Sequence, residues 1–146
     1  MSRVEKTHEK LISKMLALWN GELDNVAAAE SIYARDFVGN GTPVGVDAVK
    51  SLVLSSRRAF PDQRYEVSDE MVVGNRVVLR LVWTGTHTGE WKSRFGLVPP
   101  TGRSFSVGGV EIFEIRGGKI HAAWAYYDML ALFEQLGIAP GSKGSP

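Results

Sequence analysis

A chain of 146 residues, 44% hydrophobic and 23% charged, can bury one sizeable core and matches neither a disordered nor a membrane composition. Its 17 Lys and Arg against 16 Asp and Glu leave a net charge of +1, which gives no field to attract nucleic acid, and no apolar run has the roughly 18 to 20 residues of a spanning helix. The lack of cysteine excludes disulfides, thiolate nucleophiles and cysteine-held metals, and the N-terminal MSRVEKTHEK has no apolar signal core, so the cytoplasm is the expected compartment.

Val4, His8, Leu11, Ile12, Met15, Leu18 and Trp19 recur at helical spacing and predict a first amphipathic helix ending near Asn20-Gly21. Asp24 or Asn25 can cap a second short helix running toward Tyr33, which delivers Tyr33 and Phe37 to the core. After a Gly-rich loop, Val49, Leu52, Val53, Ser56 and Phe60 predict a third helix over 46–60, stopped by Pro61. The period then changes to two. Strands are expected over 64–73, 76–87, 104–116 and from 119 to Asp128, with turns at Gly74-Asn75 and Gly117-Gly118. Residues 89–103 hold three glycines and a Pro-Pro pair beside Trp91, Phe95 and Leu97, which reads as a binding loop. A short helix closes the chain, and residues 141–146 are expected to be a disordered tail after a single domain over 1–140.

Three helices, four meandering strands and a final helix make an α+β fold, with N-terminal helices packed on the concave side of a strongly curved antiparallel sheet. A conical cavity follows from that curvature. The convex face, with Val78, Val82, Val110 and Ile112, is the expected surface for a homodimer.

Strict alternation in the last strand places Ile120, Ala122, Trp124, Tyr126 and Asp128 on one face, an aromatic row closed by a carboxylate. Asp128 has two readings. It can be the acid/base of a pocket, or the N-cap of the helix that begins at Met129. His87 ends the inward face of its strand, as a rim residue or as a partner to Asp128. Glu111 sits mid-strand among apolar residues and needs a partner there: it is either one half of a structural ion pair with an arginine or itself a second catalytic acid. Trp19, Tyr33, Trp83, Phe113, Trp124 and Tyr126 form the candidate lining for a flat hydrophobic ligand. His8, His87 and His121 show no metal-ligand spacing, so no metal site is expected.

Several segments in this order and spacing carry a resemblance: Trp19-Asn20-Gly21, Tyr33 to Val38, Ala59-Phe60-Pro61-Asp62, Gly85 to Gly89, Pro99 to Arg103, Trp124 with Asp128, and Gln135-Leu136-Gly137. Together they resemble the SnoaL-like polyketide cyclases and ester cyclases of the NTF2-like superfamily. The resemblance implies an NTF2-like cone and an intramolecular aldol cyclisation, or a related lyase or isomerase proton transfer, without metal or cofactor. It implies that Asp128 is the acid/base group and that the substrate is a hydrophobic carbonyl compound such as a polyketide; from its place on the strand, His87 paired across the cavity with Asp128 would orient that carboxylate or polarise a carbonyl. Where some members carry a polar partner on the strand before the final hairpin, this chain offers Phe113. Two other readings use the same cone: a binding protein for a hydrophobic small molecule, and a hydrolase activating water between Glu111 and Asp128.

Overall fold

The structure, a computed structural model, describes residues 2–138, so the expected tail over 141–146 lies outside the described residues. Helix α1 (Arg3–Trp19) starts with a reciprocal capping box between Ser2 and Glu5 and buries the predicted stripe of His8, Leu11, Ile12, Met15 and Leu18. A 3-10 turn (Val26–Ala28), capped by Asn25, leads into the single turn α2 (Ala29–Ile32). Helix α3 (Gly45–Ala59) buries Val46, Val49, Val53, Ser56 and Ala59 and ends before Pro61. Near its C-terminus, Arg57 donates to the carbonyls of Leu18, Leu23 and Asp24. That side chain ties the last turn of α1 and the loop after it to α3. Among the described residues, no helix is long and apolar enough to cross a membrane.

Six strands form the main sheet in the order β2-β1-β8-β7-β4-β3. The four expected strands are β3 (Arg64–Val73), β4 (Arg76–Thr86), β7 (Ser104–Arg116) and β8 (Lys119–Tyr127), and each is antiparallel to its neighbour in that order. Sequence reading misses β1 (Tyr33–Gly39), which pairs parallel to β8, and the two-residue β2 (Thr42–Pro43). The expected loop over 89–103 contains a hairpin, β5 (Trp91–Ser93) with β6 (Gly96–Val98), which buries Trp91 and exposes Phe95 and Leu97. Helix α4 (Met129–Leu136) buries Leu132, Phe133 and Leu136 against the end of the sheet.

A bulge in β8 overturns one expectation. Glu114 pairs with Ala122 and Ile115 with Ile120, so His121 is an unopposed extra residue. A single extra residue reverses which face every later side chain takes. Ile120 is therefore inside, and beyond the bulge the inward residues are Ala123, Ala125 and Tyr127. Trp124 and Tyr126 point to the convex face. There Trp124 lies beside Ile112 with the Arg76 guanidinium 5.7 Å above its ring, and Tyr126 is 59% exposed. The expected aromatic row on the cavity side does not form.

Candidate active site

Between α1, α3 and the concave face of the sheet lies a cavity of about 540 Å³. Phe60, at the end of α3, anchors one wall, with the rings of Trp83, Trp91 and Phe105 at 5.6, 5.3 and 5.0 Å. Tyr65 stacks on Trp83 with 4° between the planes. Gln63 is buried and fixes that wall: it accepts from Trp83 Nε1 at 3.2 Å and donates to Ser56 and to the Trp19 carbonyl. Such convergence of aromatic rings with a few placed polar groups suits a flat, mostly apolar ligand. A second concavity, of about 570 Å³, lies beyond Tyr33, but its charged lining of Glu30, Arg35, Asp47 and Lys119 has no aromatic wall of this kind.

Five of the predicted site residues meet in the cavity: Trp19, Tyr33, Trp83, Glu111 and Phe113. Among the described residues, Glu111 is the only carboxylate on its lining. The inward face of β7 carries it there, and among the described residues no arginine pairs with it. Instead, Tyr127 on β8 donates its hydroxyl to Glu111 Oε2. Burial pushes the Glu111 carboxyl above the usual carboxylate range, and the Tyr127 hydrogen bond pulls partly the other way. The Tyr127 phenol is pushed far up, first by burial and then by the Glu111 charge, so it remains a donor.

Tyr127 was not among the predicted residues, because the unbulged alternation turns it outward. One signal for it does exist in the sequence. Gly109, inside β7, faces Tyr127 across the ladder, and a Cβ at Gly109 would stand 2.2 Å from the Tyr127 ring. An interior strand glycine marks such a close approach.

Asp128 is not brought to the cavity. It is exposed, and its Oδ1 accepts from the Ala131 amide at 3.0 Å as the N-cap of α4. Of the two readings of this carboxylate, the geometry supplies the cap. The Glu111 and Asp128 pair that water activation would need is therefore not assembled. Among the described residues, no three His, Asp or Glu side chains gather where they could hold a metal ion.

The family model for SnoaL-like polyketide cyclases matches residues 9–136. This chain belongs to that family. IdmH of Streptomyces antibioticus, described as a candidate polyketide cyclase, is 26% identical and superposes with a TM-score of 0.74 over 88% of this SnoaL-like chain and 97% of its own. AclR of Streptomyces galilaeus, described as a candidate hydroxylase, is 29% identical with a TM-score of 0.76 over 97% of this chain and 90% of its own. TsrD of Streptomyces laurentii, at 23% identity, shares the fold with a TM-score of 0.79 over 94% and 98% of the two chains. No curated protein matches the sequence. The α+β cone expected from patterning, NTF2-like by the resemblance, is thus the fold of the SnoaL-like structures that the chain resembles.

His87 of this SnoaL-like chain lies behind the cavity wall rather than on it. Fully buried, it packs against Phe60 and Trp91, and its Nδ1 faces the Thr101 amide at 3.3 Å and the Thr101 hydroxyl at 3.0 Å. Its backbone closes on Gly102 and Arg103. Its place is a latch between β4 and the end of the 88–103 segment, with no reach to Asp128. Accepting the Thr101 amide requires neutral imidazole, and burial holds the His87 pKa below its ordinary 6.5. Because the unfolded chain binds this proton more readily, the latch is at full strength above pH 6.5 and weakens as pH falls toward the lower native value. Denaturant titrations are expected to show that loss, at a slope of no more than about 1.4 kcal/mol per pH unit. His87→Gln, which keeps an acceptor for Thr101 and does not titrate, is expected to flatten that part of the profile. An unchanged profile would reject the latch.

Proposed function

We propose that this chain is a cyclase-type enzyme needing no cofactor, which transfers protons on a hydrophobic, carbonyl-bearing small molecule with Glu111 as the acid/base group. The observation that carries the reading is the position of Glu111, a lone desolvated carboxylate on an aromatic cavity, held by Tyr127. Desolvation makes that carboxylate a stronger base than an exposed one, which suits removal of a weakly acidic proton beside a carbonyl. In the step envisaged, Glu111 takes the C–H proton, and the electron pair left on carbon attacks a second carbonyl of the same molecule. A C–C bond forms, the attacked C=O becomes an alkoxide, and protonated Glu111 returns its proton to that oxygen. The aromatic walls hold the ligand folded, so that the two reacting carbons meet within one molecule.

Family membership supports a cyclase-type role in general. The relatives' descriptions differ, a cyclase for IdmH and a hydroxylase for AclR, so the reaction is argued from the site. A polyketide is the substrate class that the family suggests. The test is exchange in D2O of the acidic C–H of an aromatic 1,3-diketone, 1-phenyl-1,3-butanedione, catalysed by the purified protein and lost in Glu111→Gln. Binding of the diketone with no exchange above background would make the protein a carrier instead.

Association as a homodimer belongs to the same reading. Across the convex face, Met71, Val78, Ile112 and Trp124 fall in one register row, with Val110 and Tyr126 in the next. Met71 and Tyr126 are more than half exposed and Val110 is exposed beside them, so the stripe is open among the described residues. An apolar sheet face of this kind is the surface on which a second copy would pack. Sedimentation velocity is expected to give a dimer that Ile112→Asp converts to monomer, with the diketone exchange retained. A monomeric native protein at tens of micromolar would overturn the proposal.

A further inference from the structure

Tyr33 presents a donor that nothing in the structure uses. Its side chain is 4% exposed at the start of β1, with the Phe37 ring edge-on at 5.0 Å. Trp19 Nε1 donates to its hydroxyl oxygen at 2.9 Å, and because Trp19 also lines the aromatic cavity, this bond fixes the hydroxyl end of Tyr33 on the cavity side. A phenol has one proton to give. With Trp19 occupying an oxygen lone pair, the remaining O–H finds no acceptor among the described residues. A buried donor without a partner is costly, and a ligand oxygen would relieve that cost. Burial also holds the phenol above its ordinary range, first by desolvation, while the Glu111 charge adds to the rise in Tyr33, Tyr65 and Tyr127 alike. Glu111 and Tyr33 line the same cavity, with Tyr127 spent on the carboxylate and the Tyr33 donor free among the described residues.

We propose that Tyr33, aligned by Trp19, is a second catalytic residue, which donates a hydrogen bond to the oxygen that becomes negative when the ligand loses its proton. This inference rests on the reading of Glu111 as the base and adds the electrophilic half of the site. It also narrows the substrate class: the acidic C–H must lie next to the carbonyl that Tyr33 holds, as in a ketone or ester able to form an enolate. Trp19 is then a positioning residue, since it acts only through the Tyr33 oxygen. Donors fixed in advance at the place where charge develops stabilise the transition state without reorganising at the moment of reaction.

The experiment uses 4-nitrophenol, whose anion is coloured and resembles an enolate oxygen on a flat ring. It is bound to the Glu111→Gln protein, in which the amide stands for the protonated Glu111 present after proton removal and does not repel the anion. In that background the bound probe is expected to ionise about one pH unit lower than in the same protein carrying Tyr33→Phe as well, since a hydrogen bond to a charged oxygen amounts to about tenfold or more in affinity. Adding Trp19→Phe instead is expected to leave part of that difference. Tyr33→Phe is expected to change binding of 4-nitroanisole, the same ring without an ionisable hydroxyl, far less than it changes binding of the nitrophenolate, which separates loss of the donor from loss of the cavity. A probe pKa that is the same with and without Tyr33→Phe would overturn the proposal. Failure of Glu111 as the base appears elsewhere, as diketone exchange that survives Glu111→Gln, so the two failures are distinguishable.

Discussion

Glu111→Gln is expected to lower proton exchange about 100- to 10,000-fold, the usual worth of a positioned general base. The substitution is nearly isosteric, and the amide oxygen still accepts from Tyr127, so the fold is expected to be at least as stable as before. The sign follows from desolvation. Because burial raises the native Glu111 pKa above its ordinary 4.5, its neutral form contributes stability below that value, lost as pH rises through the raised one. At neutral pH the native protein carries that cost when the carboxylate ionises, and Gln does not. For the same reason, the acid limb of the wild-type pH–rate profile is expected above 4.5. The contrasting variant is Asp128→Asn. Asn caps a helix about as well as Asp, so stability should change by no more than about 0.5 kcal/mol, with exchange unaffected. Retained exchange in Glu111→Gln together with its loss in Asp128→Asn would reverse the assignment of the two carboxylates.

Gly109→Ala is expected to be the most damaging single-methyl change to the site. The new Cβ would lie 2.2, 2.4 and 2.7 Å from Cδ1, Cε1 and Cγ of Tyr127, the root of a ring that cannot swing clear without moving its hydroxyl. Tyr127 holds Glu111 and meets Tyr65 and Trp83 edge-on at 6.1 and 5.6 Å, so a shift of the ring disturbs both the base and the wall. Overpacking of this kind costs about 1 to 3 kcal/mol, and displacement of the donor is expected to add a tenfold or greater loss of exchange, as about 1.4 kcal/mol of lost positioning implies. Gly108→Ala supplies the control one residue away. There the added Cβ meets nothing nearer than the Leu81 carbonyl at 4.0 Å, on the opposite face. Thermal melts and exchange rates of the two variants should diverge clearly. Equal behaviour would mean that Tyr127 does not depend on the glycine.

How much could be read from the sequence varied with the regularity of each element. The stripes of α1 and α3 keep helical spacing, and the inward series Val77, Leu79, Leu81 and Trp83 keeps strict alternation, so their buried faces were legible. Glu111 was legible as a buried mid-strand carboxylate in need of a partner. Its partner was not, because Tyr127 comes from the far side of the His121 bulge, and period-two counting cannot detect an extra residue. Strand β1 was hidden for another reason: only three of its seven residues are fully buried, and Arg35 and Asp36 interrupt them, so it resembles a helix end more than a strand. For Asp128 the sequence held both the cap and the pocket readings, and local geometry chose the cap. His87 showed its inward direction but not its neighbours, since Thr101 is fourteen residues away and reaches it only through the folded 88–103 segment.

The bulge at His121 has a wider effect on where the bulk of the protein is placed. An unbroken alternation would set an indole and a phenol where Ala123 and Ala125 now leave two methyl groups, and rings of that size would take up much of the 540 Å³ inside. The same extra residue sends those rings to the outer surface, where they enlarge the apolar stripe. The hollow within and the apolar stripe without are therefore one choice of chain length, made by a single inserted residue near the start of β8.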